Sequence, residues 1–322
     1  MAITLVQAAK LSNDRLLVGV IEEIITESML LQKLPFIEIV GNGLTYNREL
    51  TLPNAEFYDV NEDWEESTPT FTQVTSVLKI LGGDADVDNF LKATRSDIND
   101  LESTVIQLKA KAIRNTFEKK FIYGDTTTRP KEFDGLAYLM SLLTEDVAVP
   151  GDANYTGQVL RAVTDAASAS LTLTMLDDLI SMVKGGRADA LLMNQTMRNA
   201  IQGLLRAAGQ GGLESGRSEM GTWVQSYLGI PIIIDDWILN THDCTAADCG
   251  EIAAFTGGDS TTIFALKFGE GAMAGLQAPG GLMVDPVGTL EKKDGTRTRV
   301  KWYCSLALFA TVSASALIGC KK

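Results

Sequence analysis

The sequence predicts an α+β fold, and three features carry that prediction. A long amphipathic helix is expected from about Asn89 to Phe121, a hairpin turns at Asp294-Gly295, and helices alternate with strands from about Ser141 to Pro286. The elements follow in order. Residues 3–34 read as one or two helices, because Leu16, Val20, Ile24 and Leu31 recur at helical spacing with Glu22, Glu23 and Glu27 between them. Pro35 closes that segment. The stripe has no evident partner in its own chain, so residues 1–34 are expected to be an arm whose removal leaves the subunit folded.

Val40-Gly41-Asn42-Gly43 is turn-like, and strands are expected at Leu44–Leu52 and Thr70–Leu81. Between Glu38 and Thr70 lie eight acidic residues and one base, Arg48, so this excursion must lie on something basic or stay solvated. Gly82-Gly83 is expected to break the chain. The helix beyond it carries the stripe Leu91, Ile98, Leu101, Val105, Leu108 and Ala112, is roughly 50 Å long, and stops at Gly124-Asp125. In the alternating region, Met175–Val183 and Thr196–Ala207 read as helices and Ala190–Met193, Ile230–Ile234 and Thr261–Phe268 as buried strands. Gly209 to Gly221, rich in glycine and polar groups, reads as a mobile loop. The end returns to strands at Val287–Lys292 and Thr296–Phe309. In the second of these Arg297, Arg299, Lys301 and Tyr303 alternate with Thr298, Val300, Trp302 and Cys304, which makes one face cationic and the other a packing face.

Composition narrows the function. The 322 residues include 41 acidic and 28 basic side chains, a formal charge of -13, which argues against a protein that grips DNA by neutralising phosphates. The uncharged run Tyr303–Cys320 approaches the length of a membrane span, but its serines and its period of two favour a buried strand. Four cysteines suit a reducing cytoplasm, with Cys304 and Cys320 as small core residues. Cys244 and Cys249 share a polar loop with the only histidine, His242; free thiols, a local disulfide and a metal site all remain open there.

The candidate catalytic and binding motifs each fail on context. Gly269-Glu270-Gly271-Ala272-Met273-Ala274 matches the dinucleotide fingerprint, but Pro279-Gly280-Gly281 leaves barely two turns for the helix that must hold a pyrophosphate. Asp84, Asp86 and Asp88 copy the opening of a calcium-binding EF-hand, yet Asn89 replaces its glycine and Arg95 its bidentate glutamate. An aspartate-rich helix N-terminus is the expected explanation. One histidine, and no Gly-x-Ser-x-Gly elbow, leave little for a hydrolytic triad. No cofactor, metal or catalytic group is expected, and a soluble α/β enzyme is a distant alternative.

Four segments resemble the major capsid protein of tailed bacteriophages, which has the Hong Kong 97-type fold. They are Leu78-Lys79-Ile80-Leu81-Gly82-Gly83-Asp84, Phe133-Asp134-Gly135-Leu136, the stretch Gly221 to Ile234 with Tyr227-Leu228-Gly229-Ile230-Pro231-Ile232-Ile233, and Ile263-Phe264-Ala265-Leu266-Lys267-Phe268-Gly269. The resemblance spans nearly the whole chain. It implies an N-terminal arm at 1–36, an extended E-loop at 37–82, a P-domain with a long spine helix at 83–140, an A-domain at 141–285 and P-domain return strands at 286–322. It further implies a homo-oligomer of pentamers and hexamers closing into an icosahedral shell around phage DNA, assembled in the host cytoplasm. A separate scaffold, a portal and decoration proteins are the implied partners, and Gly209 to Gly221 would lie near a symmetry axis. Encapsulins, bacterial compartments that enclose a cargo enzyme, share this fold and are the alternative.

The resemblance also points to the subunit interface, because the family's E-loop reaches over a neighbour's P-domain. From Glu291 to Lys322 there are seven basic and two acidic residues, the reverse of the loop. Glu62, Asp63, Glu65 and Glu66, or Glu49 and Glu56, are therefore expected to face Arg297, Arg299 or Lys301 of a neighbouring subunit. Some family members join loop lysine to P-domain asparagine covalently. Here no lysine lies between Glu38 and Thr70 and no asparagine follows Asn240. Particles dissolved in denaturant should run as single chains on a gel; a ladder of covalent multimers would overturn this.

Overall fold

In the computed structural model, residues 29–51, 53–95, 101–143, 155–162, 169–184, 187–209, 212–217, 223–239 and 260–321 are described. The first elements are α1 (Met29–Lys33) and β1 (Phe36–Glu38), followed by a two-stranded ribbon of β2 (Gly43–Thr51) and β3 (Thr70–Val77). Strand β4 (Lys79–Asp88) leads into α2 (Asn89–Arg95) and the 23-residue helix α3 (Leu101–Tyr123), after which comes α4 (Leu136–Leu142). The α/β unit holds β5 (Tyr155–Thr156), β6 (Val159–Arg161), β7 (Ala169–Ser170), α5 (Leu173–Met182), β8 (Ala190–Met193) and α6 (Gln195–Ala207). It continues through β9 (Glu214–Arg217), β10 (Trp223–Tyr227), β11 (Ile230–Ile234) and β12 (Thr261–Leu266). Two long strands, β13 (Met273–Thr289) and β14 (Gly295–Leu308), precede the last, β15 (Ala314–Lys321).

These strands make two sheets beside the ribbon. The first has the order β1-β13-β14-β4, with α3 packed on one face; the second runs β5-β6-β15-β12-β8-β11-β10-β9, with β7 beside β15. Strands β8 and β12 are buried along their whole length, as continuous apolar runs in the middle of a covered sheet must be. One core joins the two sheets through α3: Phe117, Phe121 and Phe133 pack with Trp302 and Cys304 of β14 and with Leu192, Phe264 and Ile318 of the second sheet. A second core lies on the other face of that sheet, under α5 and α6. Helix α6 starts where Asn194 Oδ1 accepts a hydrogen bond from the Met197 N–H (2.9 Å).

Several expectations change. Gly82-Gly83 does not break the chain: β4 runs through it, paired with β14 from Gly295↔Asp88 to Cys304↔Lys79. These glycines serve close approach. A Cβ at Gly82 would stand 2.7 Å from the Val300 carbonyl oxygen, and one at Gly83 would stand 2.3 Å from Cε of Lys109, which reaches over from α3. The turn after α3 is tighter still. The Gly135 N–H donates to the Gly124 carbonyl (2.8 Å), and a Cβ at Gly124 would lie 2.2 Å from the Phe133 carbonyl oxygen. The expected strand Thr70–Leu81 divides between β3 in the ribbon and β4 in the first sheet. The expected short strand at Val287–Lys292 is the far end of β13, which starts at Met273.

The spine stripe is also rotated by about one residue. Ile113, Phe117 and Phe121 face the core, while Leu108 is 37% exposed and Ala112 is exposed. Ile98 lies outside the described residues, as does the side chain of Leu101. Tyr303–Cys320 is strand, not span: it covers the end of β14 and most of β15, and among the described residues no helix is long and apolar enough to cross a membrane. Strand β15 joins the second sheet, so residues 286–322 contribute to both sheets. Glu214–Arg217, inside the expected loop at Gly209 to Gly221, pairs with β10 as an exposed edge strand, because the backbone there completes a hairpin; residues 210–211 and 218–221 lie outside the described residues. Cys304 and Cys320 are buried, and burial pushes both thiols up to about 12, which keeps them unreactive. Cys244, Cys249 and His242 lie outside the described residues, as do Leu16, Val20 and Ile24.

The arm is anchored where it ends. Leu30 and Leu34 are 1% and 3% exposed within the main core, with Leu31 against it. The expectation that residues 1–34 have no partner in their own chain therefore fails at this last turn, since β1 must bring the chain across α3 to pair with β13. A different constraint operates where the second sheet meets the spine. Ile238 is buried in the main core and the Leu239 N–H donates to Tyr123 Oη of α3 (3.1 Å). Beside them Asp235 is 8% exposed; burial raises its carboxyl to about 6, against the Trp237 N–H bond that lowers it, and the charges of Glu118 and Asp236 push it further up. One oxygen of Glu118 is itself buried without a hydrogen-bond partner.

Two outcomes follow. Leu30→Ala and Leu34→Ala should each destabilise the subunit by about 2–5 kcal/mol in chemical denaturation; a shift below 0.5 kcal/mol, roughly the noise of a surface change, would return the segment to the arm. Native Asp235 holds its proton more tightly than the unfolded chain, so its contribution is complete below the ordinary carboxyl value of 3.8 and is lost as pH rises through about 6. Asp235→Asn should raise stability at pH 7 by up to roughly 3 kcal/mol and flatten the slope across that window. An unchanged slope in the variant would remove Asp235 as its source.

Candidate subunit interface

The ribbon is built by pairing that needs no core. Eight cross-strand pairs run from Gly43↔Val77 to Thr51↔Thr70, and the strands are rich in Thr, Tyr, Phe and Val, which suit a pleated surface. At its tip, residues 53–69 bond mainly to one another. The Tyr58 and Trp64 rings stack at 4.5 Å, the Glu62 N–H donates to the Asp59 carbonyl, and Glu62 Oε2 accepts from the Asp59 N–H at 2.7 Å. Asn61 turns the chain with φ 67°, a left-handed conformation asparagine tolerates. Glu56 accepts from Asn54 Nδ2 at 2.6 Å. Asp63, Glu65 and Glu66 are exposed, and so are Phe57, Val60 and Trp64, the last at 80%. The Glu49 side chain lies outside the described residues. The loop therefore shows water both its carboxylates and its large apolar groups.

The cationic face of β14 is where the alternation puts it, but its charges have partners within the subunit. Arg297 donates Nε and Nη2 to the two oxygens of Asp86 (2.6 and 2.7 Å) and Arg299 does the same to Asp84 (2.7 and 3.0 Å). Both are directly opposed pairs in the β4–β14 register. Lys301 Nζ lies 2.5 Å from Asp285 of β13. The bond from Arg299 holds the Asp84 carboxyl below the ordinary range, and that from Arg297 does the same for Asp86. The three cations are raised in turn, each chiefly by its hydrogen bond to its aspartate. Arg299 keeps half of its side chain exposed. Exposed pairs of this kind are each worth about 0.2–1 kcal/mol. The structure therefore does not bring the loop acids and the β14 cations together within one subunit, and it gives Asp84 and Asp86 a role that the sequence reading assigned otherwise.

Asp84 and Asp86 thus form a cross-strand ladder with Arg299 and Arg297, not an aspartate-rich helix start. Only Asp88 acts as a cap, its Oδ1 accepting from the Phe90 and Leu91 N–H groups (2.8 and 3.4 Å). The dinucleotide motif resolves in the same way. Gly269 takes φ 148° in a tight turn closed by its N–H to the Met273 carbonyl, and β13 follows where a helix would be required. Among the described residues no group of three or more His, Cys, Asp and Glu side chains is placed to hold a metal ion.

A sequence model described as the phage capsid family matches residues 13–265. The chain belongs to the phage capsid family. Among curated protein sequences none matches the chain. Solved structures share its fold, among them the following. The SrpI encapsulin of Synechococcus elongatus PCC 7942 aligns with a TM-score of 0.66 at 17% identity, covering 100% of this chain and 97% of that one. The capsid of a native GTA particle gives 0.60 at 14%, covering 90% and 89%. A structure from Mycobacterium phage Cain gives 0.58 at 14%, covering 100% and 99%. The fold is the Hong Kong 97 type, and this member of the family is a capsid shell protein.

Proposed function

We propose that this chain is the major capsid protein of a tailed phage, which encloses a double-stranded DNA genome without reading its sequence and is assembled in the host cytoplasm with separate scaffold, portal and decoration proteins. The match to the phage capsid family over residues 13–265 carries this reading. The likeness to SrpI favours a second one, a compartment that encloses a cargo protein. In both, the E-loop, P-domain and A-domain divide the chain as the resemblance implies, and the shell is held without covalent bonds between subunits.

The bond between neighbours is electrostatic and apolar together. The tip acids Glu62, Asp63, Glu65 and Glu66, or Glu49 and Glu56, face the Arg297–Arg299–Lys301 side of an adjacent subunit, where Arg299 holds Asp84 and Arg297 holds Asp86 and reaches Asp84, each keeping donors for a further carboxylate. Phe57 and Trp64 add the desolvated contact that exposed charges alone do not supply. The experiment must leave the intramolecular ladder intact, because reversing Arg299 also breaks its pair with Asp84. Changing Glu62, Asp63, Glu65 and Glu66 to lysine meets that need. Electron microscopy of the wild-type protein should show closed shells, containing nucleic acid if phage-borne and protein if a compartment; a monomer at all concentrations would end the reading. The fourfold variant should keep its unfolding midpoint but assemble at least about tenfold less well at low salt, with the deficit changing as salt screens it. Equal yield and salt dependence would sink the proposed contact.

A further inference from the structure

The acidic loop's one base, Arg48, is the sixth of the nine residues of β2, opposite Thr72, and is fastened to the body of its own subunit. Its Nε and Nη2 both donate to the backbone carbonyl of Leu308, the former at 3.2 Å. Tyr46 Oη donates to the same oxygen at 3.0 Å, and Arg48 Nη2 lies 3.4 Å from that hydroxyl. The guanidinium also stands 5.6 Å from the Tyr46 ring centroid, while the other side of the arrangement is closed by Phe309, 4.8 Å from the same ring. All of this sits over a small apolar cluster of Ile39, Leu276 and Ala307, with Leu44 and Leu78 at its margin.

The acceptor's position matters. Leu308 is the last residue of β14, from which the chain crosses through Thr311–Ser313 to β15 in the second sheet. One carbonyl at the seam between the sheets thus takes donors from Tyr46 and Arg48, two alternate side chains partway along β2. Outward of Arg48 the character changes, since the contacts of residues 53–69 run within the loop. An antiparallel pair eight or nine residues long is a stiff lever of roughly 25–30 Å. A small rotation at its root moves the tip by several ångströms.

We propose that Arg48 is the positioning residue of the loop: by its charge-assisted bond to the Leu308 carbonyl it sets the angle at which the ribbon leaves the subunit, and with it the curvature of the shell that the subunit builds. This rests on the shell-building role given above. Arg48 acts through the ribbon and need not touch the neighbour. Lysine at this position keeps the charge and one donor but cannot make the forked bond.

Hydrogen exchange on unassembled full-length subunits reads the latch, and electron microscopy of assembled particles reads its consequence. In Arg48→Met the ribbon amides at 43–51 and 70–77 should exchange at least about tenfold faster, while those of the spine at 101–123 are unchanged. Its particles should spread over several diameters or remain open, where wild type gives one size. Arg48→Lys should fall between the two, and Tyr46→Phe should shift exchange in the same direction by less. Unchanged ribbon exchange, or faster exchange with particles of the wild-type diameter, would overturn the proposal. If Arg48→Met does not fold, Arg48→Lys and Tyr46→Phe carry the same comparison. If wild type forms no shells, the shell reading fails, while the exchange comparison still decides whether the latch exists.

Discussion

Phe117 stands where four other aromatic rings converge, and the two sheets keep their relation only because that point is filled. Its ring lies 4.6 Å from Trp302 on β14, 5.4 Å from Phe133 in the turn after the spine, 6.0 Å from Phe36 in β1 and 6.4 Å from Phe121 one turn onward. Phe117 and Phe121 have no exposed surface. One helix face therefore carries the first sheet, the arm's exit and the return of the chain to the second sheet. The ribbon and the charged outer face can be thin, polar and without a core because the rigid body behind them is so completely packed.

Charge is divided along the same lines. Where acid meets base within the subunit, it does so in register on neighbouring strands, as at Asp84 with Arg299 and Asp86 with Arg297. That ladder neutralises the outer face of an edge strand that would otherwise invite unwanted pairing. The unmatched negative charge is carried out to the loop tip, where it solvates each free subunit and is available to a partner.

How far the sequence disclosed this depends on how local each signal is. Ala190–Met193 and Ile230–Ile234 are legible as strands because a continuous apolar run between polar breaks needs no knowledge of its partners. The cationic alternation at Arg297, Arg299 and Lys301 is legible for the same reason. Gly82-Gly83 is not, since its purpose is the passage of Lys109 and the Val300 carbonyl, which come from elsewhere in the chain. The spine offers two apolar stripes of helical period, and only the aromatic bulk at Phe117 and Phe121 hints at which one faces the core. The Asp84/Asp86 and Arg297/Arg299 steps both repeat every two residues, but a separation of more than two hundred positions hides that they match. For the candidate interface, the excess of acid in the loop was visible from composition. The anchoring of Arg48 was not, because its acceptor is a backbone carbonyl, which leaves no trace in residue identity.

The position of β15 gives the order of synthesis a meaning. Residues 314–321 form an interior strand of the second sheet, with β12 on one side and β6 and β7 on the other. Until they have left the ribosome, β6 has nothing to pair with on that side and β12 offers an open edge, although the spine, the ribbon and most of both sheets already exist as chain. A nascent polypeptide can therefore form its ribbon but cannot complete its second sheet. Such a chain closes its second sheet only in one late step, when β15 enters between β12 and β6.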